Sequence, residues 1–455
     1  MPGPSSVIVA VLLLLISLLL LNTFDINYVG IAPAFTSQRV DQKCNCKAEK
    51  LSSTTFHPVT KLAQSTVRGK TGGIPRLEWY HKLMKSGVGR KGGTKKMDIS
   101  LVAAYQYPDQ INVMITSRNR FGDTVYCRYF DKFRNEIGTA FKTVVFPEFN
   151  AHCTLRNGTA FMSLTDTPTG VHEYPVPVVL RTQREPEHFF SVCVAPIYGP
   201  EPKWLLLAEL IEHYKLQGAS HFYVYSKYID EYSRVLLDDY IRTGEAEAII
   251  LHDRFQRDDS EWQVVQLQEC LLRARRHSRW IAFIDLDERL TMTDYNGTIE
   301  SYLRNISNPK IGGIQFRQRW ILKNESSPLR YAGDNQVSEW MPTRRYHNTS
   351  TVGPPGHTAK CIVDPEKVLA MSVHYVQKFF DDHFLYPLDP KEGVVRHYRD
   401  VSLGNWGKVW LKTVERMGRF SMTDYPMLYG APLLKNVQNR VRFVFGGDNH
   451  TTNSG

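Results

Sequence analysis

From residue 188 onward the chain alternates between two hydrophobic rhythms. FFSVCVAPIY (189–198) is an unbroken apolar run of strand length. KWLLLAELIEHYKLQG (203–218) then puts Leu207, Leu210, Ile211 and Tyr214 on one helical face, with Gly218 just past the end. HFYVYS (221–226) reads as a second strand, SRVLLDDYIRTG (233–244) as a second helix closed by Gly244, and AEAIIL (246–251) as a third strand. EWQVVQLQECLLRARRH (261–277) is a third helix, carrying Val264, Leu267 and Leu271 on one face, and WIAFIDL (280–286) is a fourth strand. Strand and helix at this spacing predict an α/β fold, a mostly parallel sheet with helices on both faces. Ligands of such sheets bind beyond the carboxyl ends of the strands.

Residues 98–187 follow a different period. MDISLVAAYQY, QINVMITSRN, DTVYCRYFD and TAFKTVVFPEF are short β-branched and aromatic runs between polar turns, with no helical period longer than two turns. They predict a small β-rich accessory domain. The proline-punctuated TDTPTGVHEYPVPVV reads as its connection to the α/β domain, which spans 188–425 and leaves 426–455 as a C-terminal tail.

The N-terminus bears on compartment. Val7 to Phe24 is apolar without a charged side chain, which predicts a single transmembrane signal-anchor behind a cytoplasmic tail of residues 1–6. Cleavage at the small-residue site Ala32-Pro33-Ala34 is the rival, although it lies well beyond the apolar run. Six glycosylation triplets, at Asn157, Asn296, Asn305, Asn324, Asn348 and Asn449, fit a luminal body. Seven cysteines in an oxidising lumen imply disulfides with one thiol left over; Cys127 and Cys153 share the β-rich stretch, and Cys44 or Cys46 is placed to link two chains.

A net charge of +10 invites a nucleic-acid reading, but its distribution argues against one. Between Arg39 and Lys96 stand 14 basic and 3 acidic residues, an excess larger than that of the whole chain. That stretch is glycine-containing and poor in aromatics to stack on bases, so residues 25–97 read as a solvated, flexible stem.

WIAFIDLDERL (280–290) carries the candidate chemistry, since an apolar run leads straight into Asp285, Asp287 and Glu288. Carboxylates at the end of a buried strand need a cation. In a strand, residues i and i+2 point to the same side, so Asp285 and Asp287 face one way and Leu286 faces the core. Two carboxylates on one side suit a hard divalent ion, Mn²⁺ or Mg²⁺, which supports the diphosphate of a departing nucleotide. The plainer alternative is a strand end whose acidic cluster is neutralised by Arg289.

Several motifs in order, FFSVCVAPIYG, LIEHYKLQGASHFYVYS, WIAFIDLDERL, GGIQFRQRW, KCIVDPEKVLAMSVHYV and VVRHYRD, resemble glycosyltransferase family 92. The resemblance extends over roughly residues 98–425, through DISLVAAYQYPDQINVMITSRN and VYCRYFD. It implies a GT-A nucleotide-sugar-binding fold, a Golgi type II membrane protein and a metal-dependent transferase. It also implies β-1,4 transfer of galactose from UDP-galactose to a glycan such as fucose on an N-glycan core. Under it Asp285 and Asp287 become the metal-binding DXD motif, joined by His397 or, alternatively, His374, with Lys360 and Arg396 on the diphosphate. An inverting transfer needs a carboxylate base, for which Glu339, Asp381 and Asp382 are available. The alternative function is a membrane-tethered glycan-binding or scaffolding protein with the same fold and no turnover. A metal-dependent hydrolase ranks last, because its usual clusters of His and Asp are missing.

Overall fold

The computed structural model describes residues 77–91, 96–252, 259–402 and 406–446. The apolar Val7–Phe24 run, Cys44, Cys46, Asn449 and most of the stem lie outside them. Among the described residues no helix is long and apolar enough to cross a membrane.

A short helix, α1 (Leu77–Lys85), precedes β1 (Leu101–Gln106), β2 (Ile111–Ile115), β3 (Thr124–Phe130), β4 (Phe141–Val144), β5 (Asn150–Cys153), β6 (Phe161–Thr165) and β7 (Val176–Leu180). These strands pair in the order β4-β3-β6-β7-β1-β2-β5, and a bridge between Val145 and Ala151 links the chain beside the two edge strands. The Cys127–Cys153 disulfide ties β3 to β5 inside this core. Strand β7 falls within the stretch read above as a mere connection. Its valines carry the β propensity, and Pro177 is tolerated because β6 and β7 pair over only two residues.

The second sheet is built from β8 (His188–Ile197), α2 (Trp204–Leu216), β9 (His221–Ser226), α3 (Glu231–Arg242), β10 (Ala246–Ile250), α4 (Asp259–Ala274) and β11 (Ser278–Ile284). There follow β12 (Glu288–Met292), α5 (Ile299–Arg304), β13 (Ile311–Lys323), α6 (Asp334–Trp340), α7 (Pro342–Arg345), β14 (Asn348–Thr349) and β15 (Lys360–Val363). The hairpin of β16 (Val368–Met371) and β17 (Val376–Phe379) is a separate two-stranded sheet, and β18 (Phe384–Pro387), β19 (Gly393–Asp400), α8 (Trp406–Arg416), β20 (Ser421–Met422) and α9 (Met427–Phe445) complete the second.

Strands β10, β9, β8 and β11 are parallel, as the strand–helix rhythm predicts. Alternate residues of each strand serve two cores. Phe190, Val192, Phe222, Val224, Trp280 and Ala282 pack with α2, α3 and α9, whereas Cys193, Tyr223, Tyr225, Ile281 and Phe283 face α4. Burial on both faces is why these strands read as unbroken apolar runs. A second disulfide, Cys193–Cys270, fastens β8 to α4.

Beyond β11 the sheet is mixed, which corrects the expectation of a mostly parallel one. Strand β15 lies antiparallel between β11 and β13, β19 runs parallel to β13, and β12 runs antiparallel to β19. The physical reason lies in the connections. The regular helical crossovers that enforce parallel pairing end at β11, and the loops and hairpins that follow admit antiparallel neighbours.

Candidate active site

Strand β11 stops at Ile284, so Asp285, Leu286 and Asp287 form a three-residue turn rather than a strand continuation. The turn is closed by Glu288 N–H donating to the Asp285 carbonyl at 3.1 Å and by Asp285 N–H donating to Glu288 Oε2 at 2.8 Å. The two aspartates are therefore held by the turn, not by the pleat, and each has its own partners. Asp285 receives Lys360 Nζ at 3.0 Å and Gln263 Nε2 at 3.0 Å. Asp287 faces His397 Nε2 at 3.3 Å and Arg399 Nη1 at 3.6 Å. Glu288, buried between them, meets Lys360 Nζ at 3.1 Å and His397 Nδ1 at 3.2 Å.

Register explains the meeting. Antiparallel pairing of β12 with β19 sets Glu288 opposite His397, and parallel pairing of β13 with β19 sets Trp320 beside His397 on the other side. The Trp320 indole stacks on the imidazole at 4.6 Å, and the Gln318 amide nitrogen lies 2.6 Å from His397 Nδ1. Lys360 opens β15, which pairs with the end of β11 through Phe283 and Cys361.

These neighbours decide the protonation states. Burial alone would raise the Asp287 carboxyl, but the charges of His397 and Arg399 outweigh it and hold it well below the usual carboxylate range. For Glu288, burial and the Asp285 charge win over Lys360 and His397, and its carboxyl is raised. Lys360 and His397 are both raised, because their carboxylate partners overcome the burial that would lower them. Lys360 beside Asp285 and Arg399 beside Asp287 set the chain's own cationic side chains against the acidic turn.

The remaining expectations divide. Arg289 does not neutralise the cluster. Its guanidinium is fully buried against Glu209 at 2.9 Å and Leu286 O at 2.9 Å. Arg396 also points away, because strand alternation puts it on the face opposite His397, where it donates to Tyr398 Oη at 3.1 Å and to Thr423. Arg399, two residues past His397, is the arginine that faces Asp287. His374 donates from Nδ1 to Ala359 O at 3.1 Å beside Lys360, and burial with the Lys360 charge lowers its imidazole to about 4.

Among the base candidates, Asp381 and Asp382 lie in the exposed turn between β17 and β18, where Phe384 pairs with Ile311 at the start of β13. Ile311 opens β13, whereas Gln318 lies past its middle, so this turn is set along the strand from His397's partners. Glu339, on α6, follows the end of β13 that borders the cluster and stands 3.6 Å from Arg345 Nη1, largely exposed. Four residues at the site, Arg399, Gln263, Gln318 and Trp320, are not among those expected. Arg399 is readable from the two-residue strand period, but Gln263, Gln318, Trp320 and the bridging position of Glu288 rest on long-range pairing.

The acidic turn thus lies beyond the carboxyl ends of the parallel strands, where α/β sheets bind their ligands. The chain belongs to glycosyltransferase family 92, whose family model matches residues 188–430. No curated protein matches significantly. Among solved structures, TarS residues 1–349 from S. aureus is 12% identical over 59% of this chain and 75% of its own, with a TM-score of 0.24. Glucosyl-3-phosphoglycerate synthase from Mycobacterium tuberculosis, solved with Mn²⁺, uridine diphosphate and glucosyl-3-phosphoglycerate, is 9% identical over 57% of this chain and 81% of its own, with a TM-score of 0.21. Likeness that slight bears on neither fold nor chemistry.

Proposed function

We propose that this chain is an inverting, metal-dependent hexosyltransferase that moves galactose from UDP-galactose, in β-1,4 linkage, to a glycan acceptor such as fucose on an N-glycan core. The observation that carries the reading is the meeting of Asp285, Asp287 and His397 beyond the carboxyl ends of the parallel strands in a family 92 chain. The donor set fits a divalent ion. Among the described residues His397 Nε2 is buried with no hydrogen-bond partner, 3.3 Å from Asp287 Oδ1. Two ligand atoms about 2.1 Å from one ion and at right angles to each other stand about 3 Å apart, close to this spacing. Asp285, Asp287 and His397 would hold Mn²⁺ or Mg²⁺, and the ion would supply charge stabilisation to the departing nucleoside diphosphate.

The chain's own groups do the rest. Lys360 and Arg399 hold the aspartates in place and present cationic charge where negative charge grows on the leaving diphosphate. Trp320 and Gln318 fix the orientation of His397. Glu339 accepts the proton of the acceptor hydroxyl; its pairing with Arg345, which also binds Glu325 just past β13, supports this choice among the three carboxylates. The proposed setting is a Golgi membrane, type II, with the described residues luminal. Exposure of Asn157, Asn296, Asn305, Asn324 and Asn348 supports it, and a disulfide-linked dimer through Cys44 or Cys46 belongs to the same proposal.

One observation favours the rival without turnover. Lys360 and Arg399 already partner the aspartates, which is what a glycan-binding protein with a relict site would show. The two part cleanly in one assay. The full-length chain is incubated with a panel of UDP-hexoses and Mn²⁺, with and without a core-fucosylated N-glycan. The proposal expects UDP release from UDP-galactose only with the acceptor, and a product heavier by one hexose and sensitive to a β-1,4-galactosidase. Acceptor binding with no release from any donor would establish the rival.

A further inference from the structure

At the amino ends of the same parallel strands, away from the acidic turn, three histidines converge. His188 opens β8, His221 opens β9, and His277 stands immediately before β11. One ring nitrogen of each lies within 4.8 Å of one from each of the others. The rings of His188 and His221 stack at 4.5 Å, and that of His277 meets both edge-on, at 5.0 and 5.3 Å.

The hydrogen bonds divide each ring in the same way. His188 Nδ1 is held by Ser220 Oγ at 3.0 Å, His221 Nε2 by Glu247 Oε1 at 3.1 Å, and His277 Nδ1 by Tyr223 Oη at 2.6 Å. That leaves His188 Nε2, His221 Nδ1 and His277 Nε2. His221 is 5% exposed, and its Nδ1 is buried with no hydrogen-bond partner among the described residues. The Glu187 carboxylate, mostly exposed, faces the other two, 3.9 Å from His188 Nε2 and 3.5 Å from His277 Nε2.

We propose that His188, His221 and His277, with Glu187, form a binding site for a divalent transition ion of the zinc class, which pins the amino ends of β8, β9 and β11. Three imidazoles and one carboxylate are a four-coordinate donor set, nitrogen-rich where the acidic turn is oxygen-rich. Ser220, Glu247 and Tyr223 are the outer partners that fix the ring orientation of ligating histidines. Burial lowers His188 and brings His277 down to about 3, so both are neutral donors at physiological pH. The charged groups around the cluster are Glu187, Glu247, Arg181 and Arg273, the last bound to Glu247 at 2.9 Å. An ion of two positive charges is therefore met by two carboxylates and opposed by two guanidinium groups that have partners of their own.

The full-length chain, stripped with a chelator, is titrated with Co²⁺ and then Zn²⁺. The expected result is one equivalent of Co²⁺ giving the strong visible bands of four-coordinate cobalt, which Zn²⁺ abolishes. These bands persist in Asp287→Asn and are lost in His221→Gln and His188→Gln. His188 lies toward the rim, so its variant decides the matter if His221→Gln fails to fold. Zn²⁺ raises Tm in the wild type and in Asp287→Asn but not in His188→Gln, which retains Mn²⁺-dependent transfer. Glu247→Gln weakens Zn²⁺ affinity by about 10- to 100-fold, the effect of removing an outer partner. Absence of the bands in the wild type, or bands unchanged in His188→Gln, would overturn the proposal and leave the cluster as packed neutral rings.

Discussion

Glu288 and Arg289 are neighbours in the chain with opposite duties. Glu288 turns toward the acidic cluster, while Arg289 turns into the core to face Glu209, and both members of that ion pair are fully buried. Glu209 also accepts from Thr343 N–H at 2.9 Å and Thr343 Oγ at 2.6 Å. Arg289→Met leaves a buried carboxylate without its countercharge and is expected to cost about 3–5 kcal/mol in denaturant unfolding. The double variant Arg289→Met/Glu209→Gln recovers a large part of it, and a cost below about 1 kcal/mol in the single variant would contradict the pair's role. A second residue reports through pH. His152, buried in β5, has its imidazole lowered to about 3, first by burial and then by the Arg275 charge. The unfolded chain takes up a proton near pH 6.5 that the folded chain refuses until about 3. Stability therefore falls by about 1.4 kcal/mol for each unit of acidification within that window. His152→Gln is expected to shallow the slope of Tm against pH between 6.5 and 4, and parallel slopes would refute it. At this scale the sequence disclosed chemistry better than direction. Asp285, Asp287, Lys360 and His397 are brought together, but it is Arg399 rather than the expected Arg396 that joins them, since the two-residue period separates 396 from 397 and joins 397 to 399.

Elements were legible where local period and punctuation agree. The helices ending before Gly218 and Gly244 show it, since both glycines sit at positive φ, +92° and +76°. Their surroundings differ. A Cβ at Gly218 would stand 2.4 Å from Glu300 Cβ, whereas nothing lies within 4 Å at Gly244. Gly244→Ala should cost about 1–2 kcal/mol for the left-handed backbone alone, and Gly218→Ala measurably more in the same thermal unfolding assay. Equal losses would show that the contact with Glu300 yields freely. The strands that complete the site were less legible. Residues 285–287 look like the end of β11 because apolar and acidic positions run on without a glycine or proline, yet the backbone turns there so that Glu288 can cap it. Lys360, Gln318 and His397 come from β15, β13 and β19, whose pairing depends on contacts across dozens of residues and leaves no local period.

The whole molecule separates its chemistries along one sheet. Carboxylates, His397 and two cations gather beyond the carboxyl ends of β8, β9 and β11, and three histidines gather at the amino ends. Among the described residues two disulfides, Cys127–Cys153 and Cys193–Cys270, stiffen the two large sheets, and Cys361 is a free, buried thiol. Burial raises that thiol to about 12, so it stays protonated and inert at neutral pH. Peptide mapping of the unreduced chain is expected to recover both cross-links and an unpaired Cys361; linkage of Cys361 to another cysteine would contradict the arrangement. The central claim, that the acidic turn serves a metal-dependent transfer, is tested most directly by pairing folding with turnover. Tm and Mn²⁺-dependent galactose transfer are measured for wild type, Asp285→Asn and Asp287→Asn. The account predicts wild-type transfer that a chelator abolishes and Mn²⁺ restores, and variants that fold yet lose on the order of 10² to 10³ in turnover. Folded variants with full transfer that needs no metal would contradict it, leaving Lys360 and Arg399 as the cations that matter and the aspartates as no more than the end of a strand.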